Sequence, residues 1–296
     1  MKDILISGSA GFLGKKIYSE LNRDYNVETL DFSNSTYNYD LRSKIPLFNK
    51  RFDLVIHAAG KAHSIPKNHD EKKIFFDVNV DGTSNFLNSL KKYPPKNIIH
   101  ISSVAVYGLT KGHLINEDHE LLAKDPYGKS KILAEGLIKK WGKNNDVKIL
   151  ILRLPLLAGP NPPGNLGKMI NAIKNGYYFN IGNKSPKKSI ILLDDISKHI
   201  IKFYGMSGTF NLTDGHNPTI SELSDVISKQ LLAPPPKQLP FYLMKIISFI
   251  GNYIPFIPLD SEKFNKLTSE LTFDDSNALQ FLGWRPSKVL NNFIIN

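Results

Sequence analysis

Tyr127 and Lys131 are the residue pair whose types and spacing most clearly suggest chemistry, because they stand four residues apart in the segment YGKSK. Residues at that spacing share one face of a helix. An ammonium beside a phenol favours the phenolate, so the tyrosine would exchange a proton with a substrate hydroxyl near neutral pH while hydride moves. The same spacing also arises by chance on exposed helices, and the pair therefore needs support from its surroundings.

Ser103 supplies a hydroxyl group that would join this pair. It follows the apolar run Ile98–Ile101, a predicted strand, and doubly wound parallel sheets place their ligands at the carboxyl ends of strands. A serine after a strand usually makes turn hydrogen bonds, so Ser103 becomes a catalytic candidate only in combination with Tyr127 and Lys131.

A glycine-rich turn comes directly after the first predicted strand and opens the first predicted helix. Gly8, Gly11 and Gly14 allow a tight turn and a close backbone approach, and the helix N-terminus offers free N–H groups to a pyrophosphate. The spacing is G-x-x-G-x-x-G, and glycines also serve turns for purely conformational reasons. Its position at a strand-to-helix junction favours a dinucleotide site.

Asp31 follows the second predicted strand, where a carboxylate accepts hydrogen bonds from ribose hydroxyls and repels a 2′-phosphate. This predicts NAD, with NADP left open because Lys15 and Lys16 are close enough in sequence to help a phosphorylated ribose. A turn-capping role for Asp31 is the structural alternative.

The elements that must position these residues alternate between apolar runs and helical patterns. This order predicts an α/β fold, a Rossmann doubly wound parallel sheet with a smaller C-terminal α/β substrate lobe. We divide the chain into an NAD-binding Rossmann domain over 1–155 and a substrate-binding lobe over 156–296, interleaved with the sheet. Prolines and glycines between 155 and 164 predict a long functional loop at the boundary.

Composition excludes several functions. The chain has 296 residues and a net charge of 38 − 27 = +11, which suits an anionic small substrate; its lysines follow no nucleic-acid-binding pattern. There are no cysteines, and the histidines lack metal-ligand spacing, so we expect no metal site.

Met1-Lys2-Asp3 leads straight into an apolar strand, and we expect a cytoplasmic protein. The apolar stretch 241–258 is too interrupted to span a membrane, although a peripheral membrane contact is possible there.

The motifs together resemble the extended short-chain dehydrogenase/reductases, in the branch of NAD-dependent sugar-nucleotide epimerases and dehydratases. The matching segments run nearly from end to end: GSAGFLG at 8–14, Asp31, Asp40-Leu41, HAAG at 57–60, NVDGT at 79–83, SSVAVYG at 102–108, YGKSK at 127–131 and LGWRP at 282–286.

The resemblance implies Tyr127 as the catalytic acid and base, Lys131 as its activator and ribose ligand, and Ser103 as the hydroxyl partner. It also implies a homodimer. Besides Tyr127 and Lys131, the residues expected to line the cofactor site are Gly8, Gly11, Phe12, Leu13, Gly14, Asp31, Asp40, Leu41, Ala58, Ala59, Gly60 and Asn79.

The substrate implied by the resemblance is a nucleoside-diphosphate sugar. Contacts are expected from Asn165 and Leu166 and, near the pyrophosphate, from Lys188; Lys61 and His63 follow the Ala-Ala-Gly turn closely enough to face the active site, and Ser103 would also touch the substrate. The preferred reaction is 4-epimerisation of a UDP-glucose or UDP-N-acetylglucosamine type of sugar.

Two departures from the family pattern keep an NAD(P)H-dependent 4-ketoreductase of a 4-keto-6-deoxy sugar nucleotide as the alternative. Leu156 stands where many 4-epimerases have asparagine, and Lys188 where the family often has arginine. Val104-Ala105 replaces the Asp-Glu pair of dehydratases, which disfavours dehydration. A non-catalytic NAD-binding regulator is a third possibility, against which the complete Ser103, Tyr127 and Lys131 set argues.

Overall fold

The computed structural model describes residues 2–62, 64, 66–182, 185–254, 256 and 259–295. The strands are β1 Asp3–Ser7, β2 Asn26–Asp31, β3 Tyr37–Asn38, β4 Leu54–His57, β5 Asn97–Ser103, β6 Gly112–Ile115, β7 Lys148–Leu154, β8 Leu156–Ala158, β9 Phe179–Ile181, β10 Ile190–Leu192, β11 Gly208–Asn211, β12 Lys237–Leu239 and β13 Leu271–Phe273.

The α-helices are α1 Phe12–Leu21, α2 His69–Phe76, α3 Gly82–Ser89, α4 Pro126–Asn145, α5 Gly164–Lys174, α6 Leu193–His199, α7 Ile220–Gln230, α8 Phe241–Gly251, α9 Ser261–Thr268, α10 Ser276–Phe281 and α11 Val289–Asn292. A π-helical segment, Asp77–Asp81, joins α2 to α3. The sequence pattern predicts a helix containing Val78 to Leu90. This covers most of the π-helical segment and α3 but not α2.

The main sheet has seven parallel strands in the order β3-β2-β1-β4-β5-β7-β11. Strand order reverses between β1 and β4, which is where doubly wound sheets bind ligands beyond the carboxyl ends of their strands. The predicted α/β fold with a Rossmann-type parallel sheet is confirmed. Its last strand, β11, comes from residues beyond 155 and pairs with β7, so the C-terminal half of the chain completes the sheet.

Alternating strand residues bury the two faces of the sheet in separate cores. In β1, Ile4 and Ile6 pack into the core beneath α1 and α6, whereas Leu5 packs into the core beneath α3 and α4. Strands buried on both faces become continuous apolar runs, which is why β1, β4 and β5 are so apolar in sequence. Each buried aliphatic side chain contributes about 1.5–3 kcal/mol of burial free energy.

α4 begins four residues before the helix predicted around Ser130–Trp141. The Asp125 side chain accepts a hydrogen bond from the N–H of Gly128 at 3.0 Å, and Pro126 occupies the first turn, where no N–H is needed. This N-terminal extension brings Tyr127 into the first turn of the helix. The first turn of the helix, which carries Tyr127, therefore lies toward the carboxyl edge of the sheet.

The smaller sheets lie outside the main one and pair β8 with β10, β9 with β12, and β6 with β13. α5, α7 and α11 pack with β8 and β10 around a third core. The long loop predicted after residue 155 is wrong: β8 forms immediately, and only residues 159–163 separate it from α5. β8 forms there because it pairs in parallel with β10, a contact between residues more than thirty positions apart.

A buried ion pair fastens α4 to β7. The Arg153 guanidinium donates to both carboxylate oxygens of Glu135, at 3.1 and 2.8 Å, and the two side chains are 3% and 2% exposed. Ser102 donates a further hydrogen bond to Glu135 at 2.6 Å, and Arg153 donates to the hydroxyl of Tyr107 at 3.0 Å. Tyr107 in turn donates to Asn211 of β11 at 2.7 Å. The network thus joins α4, β5, β7 and β11.

Glu135→Gln should lower the free energy of unfolding by about 3–5 kcal/mol, because it leaves the Arg153 guanidinium buried without its counter-charge. Urea unfolding measures the change. Glu262→Gln is the matched control, since Glu262 pairs with Lys266 at 2.6 Å on the exposed surface of α9 and should barely alter stability. Equal losses in both variants would contradict a special role for the buried pair.

Candidate active site

The glycine-rich turn packs backbone against backbone at the switch point of the sheet. Gly8 has φ +78°, and a Cβ atom there would lie 2.5 Å from the backbone nitrogen of Ala59. A Cβ atom on Gly14 would collide with the carbonyl oxygen of Gly8. Both positions therefore require glycine, and the turn is held directly against the Ala58-Ala59 segment that follows β4.

The N-terminus of α1 suits a pyrophosphate. Gly11 precedes α1 and has no side chain that could cap the helix. The first turn of α1, Phe12 to Lys15, contains no acidic residue. The first N–H groups and the positive end of the helix dipole can therefore bind an anion. Phe12 is partly buried and Leu13 is buried in the core, so contacts of Leu13 with a ligand would come from its backbone.

Asp31 ends β2 beside this turn. Its carboxylate accepts hydrogen bonds from the N–H groups of Ala10 and Phe32, both at 2.9 Å, so the capping role considered from the sequence is present. Each carboxylate oxygen retains a second lone pair, which leaves Asp31 able to accept a ribose hydroxyl. Lys16 forms an ion pair with Asp194 at 3.0 Å, which draws it toward α6 rather than toward a phosphorylated ribose.

Asp40 and Leu41 lie beyond β3. Two nitrogens of Arg42 donate to the Asp40 carboxylate, at distances down to 2.6 Å, and these bonds lower the pKa of Asp40. Asn85 of α3 donates to the carbonyl oxygen of Leu41 at 2.8 Å. The pair is thereby anchored at the rim of the predicted cofactor site, with Asp40 charged.

Asn79, in the π-helical segment, holds the loop that follows β4. Its Oδ1 accepts the N–H of Lys61 at 2.7 Å, and its Nδ2 donates to the Lys61 carbonyl oxygen at 3.1 Å and to Ser130 at 2.8 Å. A Cβ atom on Gly60 would lie 3.1 Å from Asn79. Asn79 thus positions the loop against α4, and its direct contact with a cofactor stays a prediction.

Ser103, Tyr127 and Lys131 come together at the carboxyl end of β5. Ser103 precedes a 3₁₀ turn, Val104–Tyr107, where its Oγ accepts the N–H of Ala105 at 3.2 Å. Burial raises the pKa of the Tyr127 phenol, and a side-chain hydrogen bond with Ser103 opposes that rise. Near neutral pH the Tyr127 phenol is therefore protonated.

Lys131 is 5% exposed, and its Nζ donates to the carbonyl oxygen of Ile101 at 2.6 Å. Burial lowers the pKa of Lys131 to about 8, and the charge of Glu135 one turn away acts in the opposite direction. The ammonium lies 3.8 Å from the point that a Cβ atom on Gly60 would occupy. Lys131 therefore sits between α4, β5 and the Ala58–Gly60 segment, as the predicted site requires.

Two histidines beneath the site were not predicted to take part. His57 hydrogen-bonds Ser7 through Nδ1 at 2.6 Å and Thr83 through Nε2 at 3.0 Å. Thr83 donates its hydroxyl proton to the carbonyl oxygen of Asn79, so His57 donates from Nε2 and accepts at Nδ1. Burial lowers its pKa to about 3. The His100 ring stacks on His57 at 5.3 Å, and neither of its nitrogens has a hydrogen-bond partner among the described residues.

The predicted substrate residues lie in the smaller lobe and at its border. Asn165 is exposed in the first turn of α5, whereas the Leu166 side chain is 1% exposed in the third core, so a ligand would meet its backbone. Lys188 donates to the carbonyl oxygen of Lys266 at 2.9 Å, and burial lowers its pKa to about 8. Lys61 is exposed, and His63 lies outside the described residues.

A largely apolar cavity of about 260 Å³ opens in the same lobe, a feature that the sequence pattern did not reveal. β9 contributes Phe179 and Ile181 to its wall, Ile220 closes it from α7, and Leu267 from α9. Ser185 and Pro186, which shortly precede Lys188 in the chain, also line the cavity. The cavity therefore lies next to the segment of the predicted pyrophosphate contact.

Among the described residues, no group of three His, Asp or Glu side chains is arranged to hold a metal ion.

A parallel sheet with a glycine-rich turn at its switch point, and a Ser, Tyr and Lys set beside it, defines a dinucleotide-dependent class of enzymes. A comparison with known protein families supports this class. The profile described as "NAD dependent epimerase/dehydratase family" matches residues 4–206, and the chain is an enzyme belonging to that family.

Curated relatives cover most of the chain at low identity. An N-acetyl-alpha-D-glucosaminyl-diphospho-ditrans,octacis-undecaprenol 4-epimerase of Escherichia coli O157:H7 is 28% identical over 269 residues, covering 85% of this chain and 78% of the relative. A UDP-glucose 4-epimerase of Vibrio cholerae is 25% identical over 314 residues, covering 98% and 92%.

Solved structures share the fold. A UDP-glucuronic acid 4-epimerase from Bacillus cereus, in complex with UDP-glucuronic acid and NAD, has a TM-score of 0.75 at 18% identity and covers 98% of this chain and 96% of its own. A UDP-glucose 4-epimerase from Thermotoga maritima, with UDP-glucose, has a TM-score of 0.73 at 19% identity, covering 96% and 93%.

The wild-type protein should gain about 2–3 kcal/mol of stability relative to Lys131→Met between pH 7 and pH 10. The pKa of Lys131 is about 8 in the folded chain and 10.5 when exposed, so the unfolded state binds more protons in this interval and stability rises with pH. Urea unfolding without cofactor at both pH values measures the difference. Lys129→Met, at an exposed position of α4, should reproduce the wild-type pH dependence. A Lys131→Met protein with an unchanged pH dependence would show that the ammonium is not buried.

Proposed function

We propose that this enzyme is an NAD-dependent 4-epimerase of a UDP-hexose or UDP-N-acetylhexosamine. The observation that carries the proposal is the convergence of Ser103, Tyr127 and Lys131 beside Gly60 and the glycine-rich turn. This arrangement sets an acid–base group next to the predicted nicotinamide position. The proposed site includes Phe12, Leu13 and Asp31 for the dinucleotide and Asn165, Leu166 and Lys188 for the substrate diphosphate.

The residues of the chain would work by moving and holding one proton. NAD, held by the glycine-rich turn and Asp31, would supply the hydride acceptor and donor. Ser103 donates a hydrogen bond to the C4 oxygen, and Tyr127 takes the hydroxyl proton as C4 loses hydride. The resulting 4-keto sugar rotates within the site. Tyr127 then returns the proton to the C4 oxygen as hydride adds to the opposite face of C4. The Lys131 ammonium lowers the free energy of the phenolate at the moment it forms.

The substrate class rests on the relatives and on the charge of the site. The names of both curated relatives describe a 4-epimerase whose sugar is carried on a diphosphate. In this chain the N-terminus of α1 would bind the dinucleotide phosphates, while Lys188 would bind the substrate diphosphate. The apolar cavity beside Lys188, lined by Phe179 and Ile220, would take the nucleoside base. The carriers named by the two relatives differ, one a nucleoside and one a polyprenol, and UDP is the one we propose.

The cofactor should be NAD rather than NADP. Asp31 presents a carboxylate at the end of β2, and the four residues that follow it, Phe32 to Ser35, include no lysine or arginine. A 2′-phosphate would meet that carboxylate without a compensating cation. The ion pair of Lys16 with Asp194 supports this choice, because it engages one of the two lysines that could bind a 2′-phosphate.

A 4-ketoreductase is the second candidate, and Leu156 is the observation that favours it. Leu156 is half-buried in β8 and packs against the third core, so it offers no amide at the position where many 4-epimerases have asparagine. A reductase would use Ser103, Tyr127 and Lys131 only to protonate the C4 oxygen. A reductase would release the oxidised nicotinamide cofactor after each turnover, whereas an epimerase ends each turnover with its cofactor in the starting oxidation state.

Purified enzyme incubated with UDP-glucose, UDP-N-acetylglucosamine and N-acetylglucosaminyl-diphospho-undecaprenol, without added NADH or NADPH, should interconvert the C4 epimers of a UDP-sugar. NMR of the sugar H4 signal measures the conversion. Turnover of the polyprenol substrate alone would reassign the carrier. Oxidation of added NADH or NADPH by a 4-keto-6-deoxy sugar nucleotide, with no epimerisation, would make the enzyme a reductase.

Tyr127→Phe is the variant for the same assay, since it removes the proton-transferring hydroxyl and keeps the ring. We expect turnover to fall at least about 100-fold, with NAD binding nearly intact. Tyr18→Phe, at an exposed position of α1, is the matched control and should retain activity. Full activity of Tyr127→Phe would remove the proposed mechanism, and a non-catalytic regulator would show neither activity nor a difference between the variants.

A further inference from the structure

α8 turns its large apolar side chains outward. Tyr242, Ile246, Phe249 and Tyr253 follow one another at helical spacing along this face and its C-terminal extension, and they are 79%, 59%, 60% and 74% exposed. The opposite side of the helix faces the protein with Met244 and Ser248, which are 3% and 1% exposed. A surface helix normally shows the reverse distribution, so the outward face needs a partner that is itself apolar.

The exposed apolar surface continues beyond the helix. Ile254 is 43% exposed and Phe256 is 95% exposed. Among the described residues no helix is long and apolar enough to cross a membrane, so α8 would have to lie along a surface rather than span one.

The chain segment that contains α8 carries charges of one sign, and the acidic residues Asp260 and Glu262 at the start of the adjoining α9 pair with lysines of α9 itself. Between residues 226 and 259 the chain contains Lys229, Lys237 and Lys245 and no aspartate or glutamate, in a protein of net charge +11. All three lysines are exposed, and Lys245 lies on α8 itself. Lysines that flank an exposed aromatic and aliphatic face form the pattern of a helix that lies in the interface of an anionic bilayer. A second copy of this chain would bring the same positive charges together and is disfavoured for that reason.

The helix is fastened to the substrate lobe. Its first residue, Phe241, packs on Phe264 of α9 with ring centroids 5.1 Å apart, and a Cβ atom on Gly182, just after β9, would lie 3.1 Å from it. Asn252 and Ser261 hydrogen-bond each other at 2.8 and 3.0 Å and fix the connection between α8 and α9. β9 and α9 both line the apolar cavity, so α8 adjoins the proposed nucleotide site.

We propose that the outward face of α8 docks this enzyme on an anionic lipid bilayer, with the apolar side chains in the interface and the lysines at the headgroups. Docking adds to the proposed function without depending on it. It would hold the substrate lobe against the bilayer surface.

Flotation of the purified protein with vesicles tests this inference. The wild-type chain should float with phosphatidylcholine–phosphatidylglycerol vesicles, bind vesicles of phosphatidylcholine alone at least fivefold less, and lose binding in high salt. Ile246→Asp/Phe249→Asp should reduce the bound fraction at least tenfold. Leu47→Asp/Leu122→Asp, which places the same charges at exposed leucines outside α8, should float like the wild type.

Circular dichroism verifies that each variant is folded, and Tyr242→Ser/Tyr253→Ser replaces the aspartate variant if that one unfolds. A wild-type protein that stays with the buffer, or an α8 variant that floats undiminished, would overturn the proposal. Dissociation of a dimer by the α8 substitutions would overturn it too, since a second copy would then cover the face. Turnover of a soluble UDP-sugar should be equal in the wild type and the α8 variants, so failure to float and failure to epimerise are separate results.

Discussion

Burial of the Lys131 ammonium is the constraint on which the rest of the site depends. A charged group at 5% exposure is costly unless its protons are donated, and one of them goes to the carbonyl oxygen of Ile101 at the end of β5. That bond fixes α4 against the sheet edge, which in turn sets Tyr127 over Ser103. Burial lowers the pKa of Lys131 to about 8, so the fold disfavours the ammonium relative to water, although it is still the main form at pH 7.

Two polar networks share the task of holding α4. One runs from Ser130 through Asn79 to the loop after β4, and it continues through Thr83 to His57. The other runs from Glu135 through Arg153 to Tyr107 and reaches β11. Because α4 sends Ser130, Lys131 and Glu135 inward where a helix usually buries apolar residues, these networks replace part of the apolar contact that would otherwise fix the helix. The positions of Tyr127 and Lys131 and the assembly of the sheet therefore both depend on these two networks.

The sequence predicted the parts of this structure whose causes are local. The short apolar run at Leu54–His57 lies between turn signals and predicts a strand with the observed bounds of β4. The glycine turn and the Tyr-Lys pair are local patterns too, and the structure brings both to the same edge of the sheet. β11 was missed because Gly208–Asn211 is short and partly polar, and it becomes a strand only by pairing with β7. β8 has only three residues and becomes a strand by pairing with the distant β10. The hydrogen bond from Lys188 to the carbonyl oxygen of Lys266 likewise joins residues far apart in sequence.

Within the site, the structure shows how the predicted residues are held in place, which their types alone do not indicate. Asp31 was expected to bind ribose, and its two bonds to backbone N–H groups show how the carboxylate is held in place. Asn79 is predicted to lie at the cofactor, and its amide protons go to Lys61 and Ser130, contacts across the fold that no local pattern indicates. His57 gave no sequence signal beyond its motif, because the hydroxyls of Ser7 and Thr83 meet it only after folding.

The most direct measurement is the fate of the C4 hydrogen. With UDP-sugar carrying deuterium at C4, a hydride removed and returned within one closed site should leave the label at C4 of both epimers, with none in water. Mass spectrometry and NMR of the product follow the label. Loss of deuterium to solvent during epimerisation would contradict hydride transfer and, with it, the assigned roles of Tyr127, Ser103 and Lys131.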